Sequence, residues 1–337
     1  MTLNITLYSR KQCHLCEQAE KDLQALQAQY PHKLAVIELD GNPDLEAAYG
    51  LEIPVIEVGP YQLKAPFDRK TLAMTLGAAR DRQHYHENAD DQAYIKRRER
   101  GSRISTVDRF AMWFSHRYMI LFNVFVFVYV GLPVMAPVLL NAGVEAPANA
   151  IYRLYSGLCH QLSYRSIFLF GDQWVYPREA AHLDQYKTFH EATGLDEVGL
   201  LEARNYRGGP GVGYKMALCE RDMAIYAAML IFGLLFALTG RKWKPLPLWA
   251  WLLFGLVPIG LDGGTQLVSM FLGSFHGSFW QTLAQIFPLR ESTPLLRILT
   301  GSLFGLTTAW FGYPLVEESM VETRILLNKK FAHLADW

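Results

Sequence analysis

The stretch "YMILFNVFVFVYVGLPVMAPVLLNAG" (118–143) contains no charged residue, and it limits the possible folds more than any other feature of the chain. A run of this length crosses the ~30 Å hydrocarbon core of a bilayer as a helix. In lipid, only a helix or a closed barrel satisfies every backbone N–H and C=O internally. A second run, "MAIYAAMLIFGLLFALTG" (223–240), is followed at once by "RKWK". From Pro245 to Leu289 the only charged residue is Asp262. That is too long for one helix, so 246–268 is read as a third span and "GSFHGSFWQTLAQIFPL" (273–289) as a re-entrant or interfacial helix. "PLLRILTGSLFGLTTAWFGYPLV" (294–316) is the fourth span. Lys96, Arg97, Arg98, Arg100, Arg103, Arg109 and Arg117 precede the first run, and "RILLNKK" follows the last. Cytoplasmic flanks are rich in Lys and Arg, so four spans place both termini in the cytoplasm and the segment 141–218 outside. The expected location is the cell (plasma) membrane, in a multi-pass protein.

Residues 1–110 differ in kind, with charges at ordinary globular density. "LNITLYS" (3–9) alternates as a strand, and "CEQAEKDLQALQAQY" places Ala19, Leu23, Leu26 and Tyr30 at helical spacing. "LAVIELD" (34–40) reads as a buried strand and "NPDLEAAYG" as a short helix entered through Asn42 and left at Gly50. "IPVIEV" (53–58) and "YQLKA" are further strands, and "FDRKTLAMTLGAAR" is a last helix. The order β-α-β-α-β-β-α suits an α/β thioredoxin-like domain at 1–80. A basic linker (81–117), an all-α four-helix transmembrane domain (118–318) with a hydrophilic outer insert (172–216), and a cytoplasmic tail (319–337) complete the expected organisation. The formal net charge is zero, which argues against a general nucleic-acid binder. Four cysteines are too few for a disulfide scaffold. "MTLNITLYSR" is too short and polar for a signal peptide.

The first two cysteines, Cys13 and Cys16, stand in "CHLC" at a helix start. Unpaired backbone amides and the positive end of the helix dipole stabilise a thiolate there. Cys13 is the expected nucleophile, Cys16 the resolving thiol, and His14 a tuner of their potential. A single Cys-x-x-Cys is a poor zinc site, so a metal clip or a vestigial pair is the weaker reading. "CHLCEQAE", "EIPVIEVG" and "FDRKTL" in this order resemble the glutaredoxin-like family over roughly residues 1–80. The resemblance implies a thioredoxin fold, dithiol–disulfide exchange, and a cis proline at Pro54 facing the cysteines; the front domain is expected to need no cofactor and to have a cytosolic dithiol protein as partner. The Gly-Gly turn of many glutaredoxins is absent.

The other two cysteines lie in "CHQLSYRSIFLFG" and "CERDMAIY". With "LDGGTQL" and "ESTPLLRILTG" these segments resemble a bacterial predicted-membrane-protein family, over about 150–318. That family carries Cys-His-Gln, Arg-Ser-x-Phe and Cys-x-Arg-Cys motifs; here Asp222 replaces the last cysteine. Three readings stand for Cys159 and Cys219. With His160 and Asp222 they bind a metal, zinc being the natural choice for such donors. Alternatively they form a structural disulfide in an oxidising outer compartment, or fill apolar space. "AIYRLYSGLCHQLSYRSIFLFG" (150–171) is amphipathic and too rich in Arg to span, so it is expected along the outer interface. "RGGPGVGYK" (207–215) lacks the Lys-Ser/Thr of a phosphate loop and reads as a plain loop.

Asp262 is costly inside a span unless paired. Gln266 lies one turn later on the same face. Arg165, Arg221 and Arg297 are its candidate partners, and with Glu291 and Asp222 they define a polar site. It is either a closed ion-pair lattice or a pocket for an anionic membrane-lipid headgroup or polar small molecule. Taken together, the sequence points to a membrane-tethered thiol–disulfide oxidoreductase. The alternative is a non-catalytic scaffold or a small-molecule or lipid transporter with a vestigial thioredoxin-like domain. Direct exchange between the two cysteine pairs needs sulfur contact, which the expected ~30 Å of bilayer between them prevents.

Overall fold

The computed structural model describes residues 2–89, 91–195, 199–273, 282–283, 285–286 and 288–334. The chain divides into two compact units, residues 1–117 with 318–337, and residues 118–317.

The first unit follows the expected order: β1 (Leu3–Ser9), α1 (His14–Leu26), β2 (His32–Glu38), α2 (Pro43–Tyr49), β3 (Val55–Val58), β4 (Tyr61–Lys64) and α3 (Arg69–Asn88). The sheet order is β2-β1-β3-β4. β1 runs parallel to β2 and antiparallel to β3, which pairs antiparallel with β4. Alternation along β1 makes two cores, because successive side chains leave opposite faces of a strand. Leu3, Ile5 and Leu7 pack with Leu23 of α1 and with Leu72 and Leu76 of α3. Tyr8 points the other way, onto Leu39, Leu45 and Val55. Asn42 and Asp68 cap α2 and α3 through the N–H groups of Leu45 and Thr71, side-chain acceptors for otherwise orphaned donors.

The two stretches that flank the membrane region are helical. The stretch read as a linker is helical: α3 runs on to Asn88, α4 (Gln92–Gly101) is capped by Asp91, and α5 (Thr106–Asn141) begins before the apolar run. The stretch read as a tail is helical through Leu334 and completes the front unit. Ile325 packs on the Tyr8 core. Buried Arg324 donates to Asp44 and to the Ser115 carbonyl. Lys329 pairs with Glu57 at 2.7 Å, and His333 Nε2 meets the buried Thr6 hydroxyl at 2.8 Å. Charges that look solvated in a linear reading have partners at the far end of the chain.

In the second unit, helix α6 (Glu145–Tyr155) stops well before the end of the expected amphipathic segment. The chain turns through Cys159–Gln161, with Gln161 at φ 53°, and enters β5 (Ser166–Leu169). The insert is a folded layer. It carries α7 (Phe189–Thr193) with a Thr188/Glu191 capping box, and α8 (Leu200–Asn205). Its Tyr176, Phe189 and Ala203 share a core with Leu162, Tyr164 and Phe168, which precede it. The glycine-rich loop is the turn of a hairpin between β6 (Gly208–Gly209) and β7 (Gly213–Cys219), and β7 also pairs antiparallel with β5. Gly213 needs its missing side chain: φ is +78°, and a Cβ would lie 2.4 Å from the Leu169 carbonyl oxygen.

Among the described residues, three helices are long and apolar enough to cross a membrane: α5, α9 (Glu220–Leu238) and α10 (Leu248–Leu272). The expected fourth span lies in α11 (Pro294–Leu334), uncharged from 298 to 316 but diluted by Gly, Thr, Trp and Tyr. Most of the re-entrant segment proposed at 273–289 lies outside the described residues. α9 and α11 meet backbone to backbone. A Cβ on Gly305 would sit 2.1 Å from the Ile225 carbonyl oxygen, and one on Gly301 2.8 Å from that of Arg221. Small residues four apart allow such approach. It brings Glu220 and Arg221, at the start of α9, beside Arg297 one turn before Gly301.

Candidate functional site

In the front unit, Cys13 is the N-cap of α1. Its Sγ accepts the Cys16 N–H at 3.2 Å, and its carbonyl accepts the N–H groups of Cys16 and Glu17. Cys13 and Cys16 are joined as a disulfide. Cys16 is buried and Cys13 half-buried, with His14 and Leu15 exposed beside them. The Ile53–Pro54 peptide is cis and stands at the entry to β3.

The second unit holds a cleft of about 280 Å³. Its walls are Cys159, His160 and Arg165, then Cys219, Arg221 and Asp222, then Gln266 of α10 and Arg297 of α11. The cysteine motif and the polar residues Arg165, Arg221, Asp222, Gln266 and Arg297, two constellations in the sequence, thus line one cavity, while Asp262 and Glu291 are not among its walls. Ligand atoms of Cys159, Cys219 and Asp222 all lie within 4.8 Å of one another. His160 lines the cleft but is exposed and stands outside that cluster. Of the four expected metal ligands, the structure gathers three.

The backbone explains how residues far apart in sequence meet. β5 and β7 pair with Ser166 opposite Cys219. The Gln161 side-chain amide donates to the Tyr152 and Ala217 carbonyls, at 3.0 and 2.9 Å, tying the Cys-His-Gln turn to α6 and β7. The Gln161 carbonyl accepts from Lys215 Nζ at 2.7 Å. Lys215 is wholly buried and also donates to the Arg204 carbonyl at 2.7 Å. Burial pushes it down to about 7.

Both thiols are free, Cys159 buried and Cys219 half-buried. A hydrogen bond from the Cys219 thiol lowers the pKa of Cys159 against the effect of burial, and the same contact together with burial raises that of Cys219.

Beside the thiols lies a lattice of buried charges. Asp262 accepts from Arg221 and from Ser292 (2.8 Å) on one oxygen and from Arg290 (2.9 Å) on the other. Glu291 is held by Arg165 at 2.8 and 3.0 Å and by Arg297, with Arg178 at 3.7 Å. Arg297 reaches Glu220 at 3.2 Å as well. Burial raises the Glu291 pKa, but Arg165 and the other guanidiniums outweigh it and hold the carboxyl below its usual range. Between the two readings of Asp262, the geometry is that of the closed lattice: both carboxylate oxygens are occupied. Gln266 differs from its neighbours. It is buried, it lines the cleft, and its Nε2 has no hydrogen-bond partner among the described residues.

The sequence reading did not single out Glu220, Arg178, Arg290, Ser292 or Lys215. Glu220 carried a usable signal, being a carboxylate at the mouth of an apolar run where partners must be internal. Lys215 carried none, since a lysine in a glycine-rich stretch looks solvated.

Comparison with known proteins agrees with this division. Residues 4–80 match the family described as Glutaredoxin-like domain (DUF836). Residues 211–311 match the family described as Predicted membrane protein (DUF2085), a narrower region than the resemblance at 150–318 suggested and one that omits the Cys-His-Gln turn. The curated protein "Uncharacterized protein MJ1492" of Methanocaldococcus jannaschii is 24% identical over 183 residues, 54% of this chain and 73% of that protein. No solved structure matches. The chain therefore carries a glutaredoxin-like domain and a predicted membrane domain.

Proposed function

We propose that the front unit is a membrane-tethered thiol–disulfide oxidoreductase. The observation that carries the reading is the placement of Cys13 as the N-cap of α1. Its sulfur accepts a backbone N–H and feels the positive end of the helix, and both favour the thiolate, the attacking form. In the reduced protein, Cys13 S⁻ attacks a substrate disulfide, giving a mixed disulfide and one released thiolate. Cys16 S⁻ then attacks Cys13, releasing the second substrate thiolate and leaving the Cys13–Cys16 disulfide. Two electrons pass to the substrate, and a cytosolic dithiol protein returns them. The chemistry needs no cofactor.

Residues 1–117 and 318–334 fold into one unit, which supports a return of the chain to the side it left. The crossings between them are then even in number. Among the described residues three helices qualify by apolarity, so α11, uncharged from 298 to 316, supplies the fourth. The basic residues flanking α5 and those ending α11 put that side in the cytoplasm.

The test uses the full chain in detergent, with a mixed-disulfide peptide as substrate. The native chain reduces it with a cytosolic-type dithiol as donor, and Cys13→Ser is inactive. Equal rates for the native chain and Cys13→Ser would leave the front unit as an interaction domain on a membrane scaffold.

A further inference from the structure

We propose that Cys159, Cys219 and Asp222 form a binding site for a thiophilic divalent cation of the zinc class, with a further coordination position open to the cleft. The three ligand atoms already lie within 4.8 Å of one another, close enough to surround one ion after small side-chain adjustments. They come from two rigid supports. Cys219 and Asp222 are the N-cap and third residue of α9, and an i, i+3 pair shares one helix face. Cys159 sits on the turn that Gln161 and Lys215 tie to β7.

Two thiolates and a carboxylate are zinc donors, and three protein ligands with one open position is the pattern of a reactive rather than a structural zinc site. Metal uptake exchanges two thiol protons for one divalent cation. Two thiolates, one carboxylate and the ion leave one net negative charge, which faces the guanidiniums of Arg165 and Arg221 in the same cleft. The arginines therefore compensate the loaded site.

A second observation points to an occupant. Gln266, buried and on the cleft wall, presents an amide N–H group with no partner among the described residues. An unmet buried donor is costly, and a water or anion at the open position would meet it.

The experiment is cobalt(II) and zinc titration of the full chain, in detergent under reducing conditions, carrying Cys13→Ser and Cys16→Ser so that the only remaining sulfur pair is Cys159 and Cys219. One equivalent of metal per chain is expected, with a sulfur-to-cobalt charge-transfer band. Adding Cys219→Ser should abolish that band. Asp222→Asn should weaken binding by at least about tenfold, a loss that even an outer-shell partner commands. No charge-transfer band in the parent overturns the proposal. So does unchanged affinity in Asp222→Asn, or a Cys159–Cys219 disulfide in metal-free native protein. If Cys219→Ser fails to fold, the parent spectrum and Asp222→Asn decide the matter alone.

Discussion

The two cysteine pairs of this chain differ in nearly every physical respect. Cys13 and Cys16 are neighbours on one helix turn, bonded to each other and partly open to solvent. Cys159 and Cys219 are brought together from distant segments, are free thiols, and lie beside a lattice of buried arginines and carboxylates. A local pair at a helix N-terminus can open and close at little conformational cost, which suits electron exchange. A pair assembled by a β-ladder, a buried lysine and a glutamine stitch is fixed in position, and such preorganisation suits binding. The same element, a pair of cysteines, is held by a local helix turn in one unit and by long-range contacts in the other.

The comparison breaks most directly at the nucleophile. Cys13→Ser should lower disulfide reduction to the uncatalysed rate. Cys16→Ser should halt the cycle at a mixed disulfide, detectable by mass spectrometry as a substrate adduct on Cys13. An adduct on Cys159 instead would mean that the buried pair is the reactive one.

The next largest effect concerns the lattice. Arg297 is 3% exposed and holds both Glu220 and Glu291. Replacing it with Met leaves two buried carboxylates short of a partner and should cost about 3–5 kcal/mol, the usual penalty for breaking a buried ion pair. Unfolding of the full chain in detergent measures it. A loss below about 1 kcal/mol would show that the lattice is far wetter than its burial indicates.

Lys215 sharpens the contrast through pH. Its folded pKa of about 7 lies below the ordinary 10.5, so between these values the unfolded chain binds more protons than the folded one. Unfolding then takes up protons, and stability rises with pH across that window. Below pH 7 both states are protonated and the contribution is flat. Unfolding of the native chain at pH 7 and pH 10 should show the rise, and Lys215→Met should flatten it. A rise of equal size in Lys215→Met would assign it to another group.

How far the sequence revealed this molecule depends on how far apart the interacting residues are. Cys13, Cys16 and Pro54 were legible because a local motif and one strand entry encode them. Asp262, Gln266 and Arg297 were legible because a polar group in an apolar run stands out against its background. The union of Gln266 and Arg297 with Cys159, Cys219 and Asp222 in one cleft was not legible. It depends on the β5–β7 register and on the close approach of α9 to α11, neither of which leaves a local trace beyond Gly301 and Gly305. His160 lines the same cleft but stands outside the cluster of ligand atoms that Cys159, Cys219 and Asp222 form. The C-terminal helix of the front unit was hidden for a related reason, since its charges find partners far away in the sequence, Arg324 at Asp44 and Lys329 at Glu57.

That helix gives the smallest effect. Lys329 pairs with Glu57, which also accepts from Gln62 and Tyr49. Burial raises the Glu57 pKa, but the hydrogen bond and charge of Lys329 prevail and hold it below 4.5. A carboxylate with a lowered folded pKa contributes stability that is present above its ordinary value and is lost as pH falls through the folded one. The pair keeps some solvent contact, with side chains 30% and 15% exposed, so Lys329→Ala should cost only about 0.2–1 kcal/mol at neutral pH. The change should appear as faster amide exchange along 318–334, with exchange in α1 unchanged. As pH falls through the lowered folded pKa of Glu57 the variant and the native chain should converge, because protonated Glu57 no longer needs its cation. If α1 loosened as much as 318–334, the C-terminal helix would be a required part of the thioredoxin-like core rather than a cover for one of its faces, and the front unit would share the long-range assembly that distinguishes the membrane cleft.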